Sequence, residues 1–439
     1  MTAIIIPFPG WGQLLAIYKF GHVLQNAGYK VLIATSEEYR QSITNNGFEC
    51  VTYLLNTNAE RPRGYINKLK LFYGRMKERD QLIDDMISKI IEESAPDIAF
   101  VDSGLSRIAF PFFKRKVKVM LFSTSLSGDQ TMCNPPFSSH VIPSFSKSNA
   151  IYIDIIWKIW YLRKWFFFLK TEVLSLGHFD YYLNRICLKY KIDRKMLDKK
   201  RVWHIGFRHI PEIFFYASEF DFAPNTKANK FYIGPMMDLR RNEQDFNTDF
   251  NWDAITIREF VVCCSLGTQA RYYNRNIDEF YKKVVEAFSN RSNCTLIMAV
   301  GKGSALYEMK LPDNVFIFDT IPQIEVLQKS HLLINHAGIG SVKECILLGV
   351  PMLAYPLDDR IDQNGTAARI QHFKIGLRGN CKTETAGRIA EKVDILLGNP
   401  EFKINVCKWK EIFESAERNN NIIHIIEKYR YAGRKETSA

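Results

Sequence analysis

The sequence predicts two similar α/β domains facing a central cleft. Short apolar runs alternate with segments of helical spacing through both halves of the chain, the pattern of parallel sheets covered by helices. Three runs of the second half end at Gly267-Thr268, at Gly301 and just before Pro322-Gln323, where a chain leaves a strand and turns. Between the halves, residues 235–253 turn polar (Arg240-Arg241-Asn242-Glu243-Gln244-Asp245) and read as a linker, which divides the chain into domains 1–238 and 239–439.

The first half opens on Ile4-Ile5-Ile6, then Pro7-Phe8-Pro9 and Gly10-Trp11-Gly12, and a helical pattern closing at Asn26-Ala27-Gly28. Residues 29–35 form a second apolar run, which makes a β-α-β unit. Residues 96–102 and 117–122 continue the series, and 134–140 are irregular. Residues 151–170 are densely aromatic (Trp157, Trp160, Trp165, Phe166, Phe167, Phe168) and read as a helical hairpin packed on the domain. Lys158, Arg163, Lys164 and Lys170 share no single helical face, which argues against a clean amphipathic membrane helix. An apolar acceptor pocket and contact with a membrane surface are the other two readings of this stretch.

The second half holds apolar runs at 261–266, 295–300 and 315–318, then Leu332-Leu333-Ile334 running into Asn335-His336-Ala337-Gly338-Ile339-Gly340-Ser341-Val342-Lys343-Glu344. Ser341 followed three residues on by Glu344 reads as a capping box opening a helix. A strand, a Gly-rich turn and a helix N-terminus together favour an anion. Residues 351–356 add a further strand, and 409–429 have the spacing of a last helix, expected to pack back on the first domain. Ligands in such sheets sit at the carboxyl ends of the strands, where Gly267-Thr268, Gly301, Pro322-Gln323 and His336 all fall.

Composition narrows the function. At 439 residues, two domains of about 200 residues are the natural division. A net charge of +12 admits nucleic acid, an anionic membrane or an anionic small substrate; the scattered basic residues make nucleic acid the poorest fit. Nine cysteines show no CxxC pair and no metal-ligand spacing, and Cys263-Cys264 inside an apolar run fit free thiols in a reducing cytosol. With neither a signal-peptide pattern nor about twenty consecutive apolar residues, a cytoplasmic protein is expected, with peripheral contact at the inner membrane face as an option.

These motifs resemble the nucleotide-sugar-dependent glycosyltransferases of family 1. The resemblance is strongest from Asp319 to Arg369, where Pro322-Gln323, His336-Ala337-Gly338-x-Gly340-Ser341-x-x-Glu344, Gly349-Val350-Pro351 and Asp362-Gln363 stand in the family's order. Ser265-Leu266-Gly267-Thr268 and Tyr232-Ile233-Gly234-Pro235 match the motif opening its second domain and its inter-domain segment. The resemblance implies the GT-B fold, two Rossmann-like domains around a cleft, with acceptor in the first and nucleotide sugar in the second. It implies that His336 donates to the diphosphate, that Gly338, Gly340 and Ser341 bring backbone to it, and that Gly267-Thr268 add a contact. Glu344 would accept from the ribose hydroxyls, Gln323 would meet the base, and Asp362-Gln363 would hold the sugar. Two extra residues, within Asp358-Asp359-Arg360, separate Asp362 from Pro356 relative to the usual spacing, and Thr320 stands where many relatives carry an aromatic ring.

The family's acceptor is usually deprotonated by a His in a Gly-His pair after the first strand; here the pair is Gly12-Gln13. Gln takes up no proton near neutral pH. The partner aspartate matches Asp102, which would serve as the base directly or through water while Gln13 positions the acceptor. His22 and His140 are weaker alternatives. The expected activity is inverting, metal-independent transfer from a UDP-sugar or related donor to an apolar, aromatic or lipid-like small molecule. A silent sugar-nucleotide binder and an epimerase are the alternatives. No cofactor beyond the nucleotide sugar is implied, and the oligomeric state is left open.

Overall fold

The computed structural model describes residues 1–52, 81–144, 147–174, 186–198, 200–201, 206–223, 227–241, 250–274 and 276–431, with side chains of the helix at 147–174 described for 150–166. Residues 242–245 of the linker and the side chains of Phe167, Phe168 and Lys170 lie outside the described residues.

The first sheet draws on β1 (Thr2–Ile6), β2 (Lys30–Thr35), β3 (Glu49–Thr52), β4 (Ile98–Asp102) and β5 (Lys118–Ser123). A short antiparallel pair, β6 (Leu197–Asp198) and β7 (Gly206–Phe207), stands apart, and β8 (Glu212–Phe214) and β9 (Lys230–Tyr232) complete the sheet. The order is β3-β2-β1-β4-β5-β8-β9, and every pairing is parallel. β1 shows why such a strand is apolar throughout. Ala3 and Ile5 enter the core on one face, and Ile4 and Ile6 enter the core on the other.

The second sheet comprises β10 (Phe260–Ser265), β11 (Cys294–Ala299), β12 (Val315–Phe318), β13 (Leu332–Asn335), β14 (Met352–Ala354) and β15 (Gly376–Arg378), again all parallel, in the order β12-β11-β10-β13-β14-β15. Cys263 and Cys264 are both free and buried, one on each face of β10. In each sheet the strand order reverses beside the opening strand, between β1 and β4 and between β10 and β13. Crevices open at such reversals beyond the carboxyl ends of the strands.

The two halves share apolar packing. Phe220 meets Phe373, Trp409 and Phe413 with ring centroids 5.4–5.6 Å apart. The chain ends in helices Pro400–Arg418 and Ile422–Tyr431, and Ile422 and Ile426 of the latter lie in the core with Ala3, Ile5 and Leu24.

One expectation is corrected. The aromatic stretch is no hairpin but part of a single 28-residue helix, Lys147–Leu174. That segment contains no Gly or Pro, so nothing in the backbone forces a turn. Among the described residues no helix is long and apolar enough to cross a membrane.

Candidate functional site

The crevice of the second sheet lies between the turns that follow β10 and β13. Helix Ile339–Leu348 starts there with Gly338 as its N-cap, and no side chain caps its first turn. The expected capping box is therefore absent. Ser341 is already inside the helix, and its hydroxyl instead accepts from Gln323 Nε2 at 3.0 Å. A first turn without a side-chain cap leaves the helix dipole turned to whatever enters the crevice.

His336 follows β13 directly, and its ring fills the gap between two glycines. A Cβ on Gly267 would stand 2.5 Å from His336 Cε1, and one on Gly338 would stand 2.5 Å from Nε2. Gly267 also has φ of +83°, which disfavours any side chain there. Asn335 holds the turn by accepting from the Ala337 N–H at 2.8 Å. Nδ1 of His336 is buried and meets no hydrogen-bond partner among the described residues. Burial lowers the imidazole to a pKa of about 4, so at neutral pH it is uncharged and donates through a single N–H.

Beside it runs a chain of polar contacts. Ser265 Oγ bonds Gln323 Oε1 at 3.0 Å, and Gln323 Nε2 reaches both Ser341 and the Glu344 carboxylate. The other Glu344 oxygen pairs with Arg241 at 2.7 Å, with both side chains buried. Thr268 is exposed at the crevice rim, and Gly340 has open space on its side-chain side.

Asp362 is buried and turned to the first domain, where its carboxylate accepts from the Leu126 N–H at 3.3 Å; burial raises its pKa to about 6. Gln363 is turned away. Its side-chain oxygen accepts from the Leu357 and Asp358 N–H groups at 2.7 and 3.0 Å, bracing the loop that carries the extra residues. That loop is held internally by Arg360 on Asp358 at 2.6 and 2.9 Å.

In the first domain Asp102 closes β4, beside β1 in the register Ile6↔Val101. One carboxylate oxygen accepts from Gly104 N–H at 2.8 Å, and the Phe8 backbone also favours the ionised form; the second oxygen is buried without a well-formed hydrogen bond among the described residues. Burial pushes its pKa up to about 7. Gln13 sits in the short helix Trp11–Leu15. Its side-chain oxygen lies 2.5 Å from where a Gly10 Cβ would be, and Gln269 Nε2 of the second domain lies 4.0 Å from the same point. The two crevices thus open toward each other. His22 is engaged elsewhere, bonded to Gln25 at 3.0 Å and packed on Phe48, and His140 is exposed.

Sequence reading passed over Arg241, Gln269 and Lys343. Arg241 stood in a stretch read as solvated linker. Lys343 is fully buried and donates to the Phe215 and Pro235 carbonyls at 3.1 and 2.9 Å; a lysine inside an otherwise buried stretch was the available signal.

Comparison with known proteins follows the same lines. Residues 289–428 match the family model of the erythromycin biosynthesis protein CIII-like C-terminal domain. The NDP-glycosyltransferase YjiC of Bacillus subtilis (strain 168) is 22% identical over 421 residues, covering 94% of this chain and 93% of the relative. The solved glycotransferase of kitacinnamycin superposes with a TM-score of 0.68 at 19% identity, covering 98% of both chains. The spinosyn rhamnosyltransferase SpnG, solved with thymidine diphosphate, superposes at 0.62 with 14% identity over 97% of this chain and 100% of its own. The chain has the GT-B fold of these solved glycosyltransferases, and over most of its length its sequence is similar to that of an NDP-glycosyltransferase.

Proposed function

We propose that the chain transfers a sugar from a uridine- or thymidine-diphosphate donor to an apolar small-molecule hydroxyl with inversion, and that Asp102 is the base. The observation that carries this reading is the pairing of two crevices, with Gln269 and Gln13 both beside Gly10. His336, Thr268, Gly338, Gly340 and Ser341 would hold the diphosphate, where the helix dipole and one imidazole N–H meet its charge instead of a metal. Glu344 and Gln323 would take the ribose and base, and Asp362 would bound the sugar, while Gln363 braces the loop beside it. The acceptor oxygen attacks the anomeric carbon from the face opposite the nucleotide. The carbon–oxygen bond to the diphosphate breaks, and the nucleoside diphosphate leaves with the bonding pair. Asp102 takes the acceptor proton, since its raised pKa matches a base working near neutral pH. Gln13 orients the acceptor by hydrogen bonding.

Gln13 in place of a titratable group also favours a second reading, a protein that binds the sugar nucleotide without transfer. Incubation of UDP- and TDP-sugars with a panel of phenolic and macrocyclic alcohols, read by mass spectrometry with and without chelator, separates the two. Transfer that survives the chelator and is lost in Asp102→Asn supports the enzyme reading. Nucleotide-dependent thermal stabilisation without product across the panel overturns it in favour of silent binding.

A further inference from the structure

Over its described side chains, residues 150–166, helix Lys147–Leu174 buries only one of its faces. Ile153 and Trp157 point into the first domain, and the Trp157 indole N–H donates to the Asn134 carbonyl at 2.8 Å. On the opposite face Ile151, Ile155, Ile159, Leu162 and Phe166 recur at intervals of three or four residues, and each is 46–66% exposed. Tyr152 and Trp165 widen the stripe, each about half exposed. It runs about 22 Å at 1.5 Å per residue. An exposed, contiguous apolar surface of this kind marks an interaction site.

A second observation names the partner. Along one edge of the stripe lies a cavity of about 1040 Å³, walled by Ala150 and Asp154 of this helix and by Lys200, Arg208, His209 and Lys227. Lys200 and Arg208 are exposed cations, while Lys227 is already paired with Asp198 and Asp129 at 3.1 and 3.4 Å. Residues 189–201, which lead into this wall, hold seven Lys or Arg in thirteen positions against two Asp. Arg163 stands exposed on the stripe's other edge. An apolar stripe rimmed by cations complements an anionic lipid surface, with the stripe at the boundary of acyl chains and headgroups and the cations on the headgroups. A second copy of the chain fits less well, because it would bring the same positive rim against this one.

We propose that this face seats the first domain on an anionic membrane surface, with the helix lying in the plane of the interface. The argument is independent of the donor-site reading. Co-sedimentation of the full chain with phosphatidylglycerol–phosphatidylcholine vesicles, against pure phosphatidylcholine, tests it. The expected result is binding to the anionic vesicles alone, weakened by salt. Partitioning should fall about tenfold in Ile155→Ser/Ile159→Ser/Leu162→Ser and likewise in Lys200→Glu/Arg208→Glu. All five positions are exposed, so both variants should keep the wild-type melting temperature, which circular dichroism checks. Absence of binding by the wild type, or unchanged binding by both variants, overturns the proposal. A dimer that the triple serine variant converts to monomer, without vesicle binding, overturns it too and gives the stripe to a second copy.

Discussion

A buried carboxylate short of donors is expensive, and Asp102 carries that cost at the end of β4. Its raised pKa has two consequences with opposite signs. Transfer by a carboxylate base needs the ionised form, so kcat/KM should fall as pH drops below about 7, and Asp102→Asn should lose about 10²–10⁴-fold at pH 8. Stability runs the other way. The folded pKa of about 7 lies above the ordinary 3.8, so the protonated fold is favoured at low pH and that advantage is lost as pH rises toward 7. The melting temperature of the wild type should therefore decline relative to Asp102→Asn between pH 4 and pH 8. A flat difference would place the titration elsewhere. His336 makes a sterically sharper case. Gly267→Ala puts a methyl on the imidazole and a side chain at a left-handed φ, a backbone cost of about 1–2 kcal/mol. Its nucleotide affinity should fall about tenfold by calorimetry, with the fold intact. The glycines and His336 were legible in the sequence as a motif, and so was Gln13 as a departure from it. Which atoms the glycines make room for was not, because Gly267 and Gly338 reach the ring from two different strand ends.

Elements were legible where period and punctuation agreed. β10, β11 and β13 are apolar runs closed by Gly or a Gly-rich turn, and they form as read. Helix Ile339–Leu348 begins earlier than its Ser-to-Glu spacing implies, since a glycine N-cap leaves no side-chain signature. The long helix at 147–174 misled because it is apolar on both faces, so its periodicity could not show which one is buried. Glu344, freed from a capping role, is held by Arg241 and Gln323. Those partners and ribose hydroxyls would compete for the same oxygens. Arg241→Met leaves a buried charge short of its partner and should cost about 3–5 kcal/mol without nucleotide. The stabilisation given by saturating UDP or TDP should then exceed that of the wild type, because ribose donors replace the missing guanidinium. An equal nucleotide shift in scanning fluorimetry would remove Glu344 from the ribose site.

At the scale of the molecule, the halves are joined by apolar packing and by a small set of buried polar struts that no local pattern announces. Lys343 reaches carbonyls 128 and 108 positions away, and Arg369 pairs with Asp221 across 148 positions. Sequence spacing carries no trace of such contacts, whereas the two sheets repeat a short-range pattern and could be read twice. Arg369 is the strut best suited to a test. Its guanidinium donates to Asp221 at 2.8 Å and to the Phe220 carbonyl at 2.8 Å, beneath the Phe220, Phe373 and Trp409 cluster. The other Asp221 oxygen accepts from the Tyr216 and Tyr232 hydroxyls at 3.1 and 3.0 Å. Arg369→Met strips the cation and leaves a buried carboxylate held by two phenols, a loss of about 3–5 kcal/mol. Burial already raises the pKa of Asp221, and without Arg369 it should rise further above its unfolded value of 3.8. The protonated acid is tolerated in the fold and the anion is not, so the deficit against wild type should be small near pH 4 and grow as pH rises to 8. Calorimetry across that range should show the widening gap, together with a split of the unfolding endotherm as the two halves lose their coupling. A deficit independent of pH would mean that Asp221 stays ionised without its partner, and a single endotherm would mean that the aromatic cluster alone couples the domains.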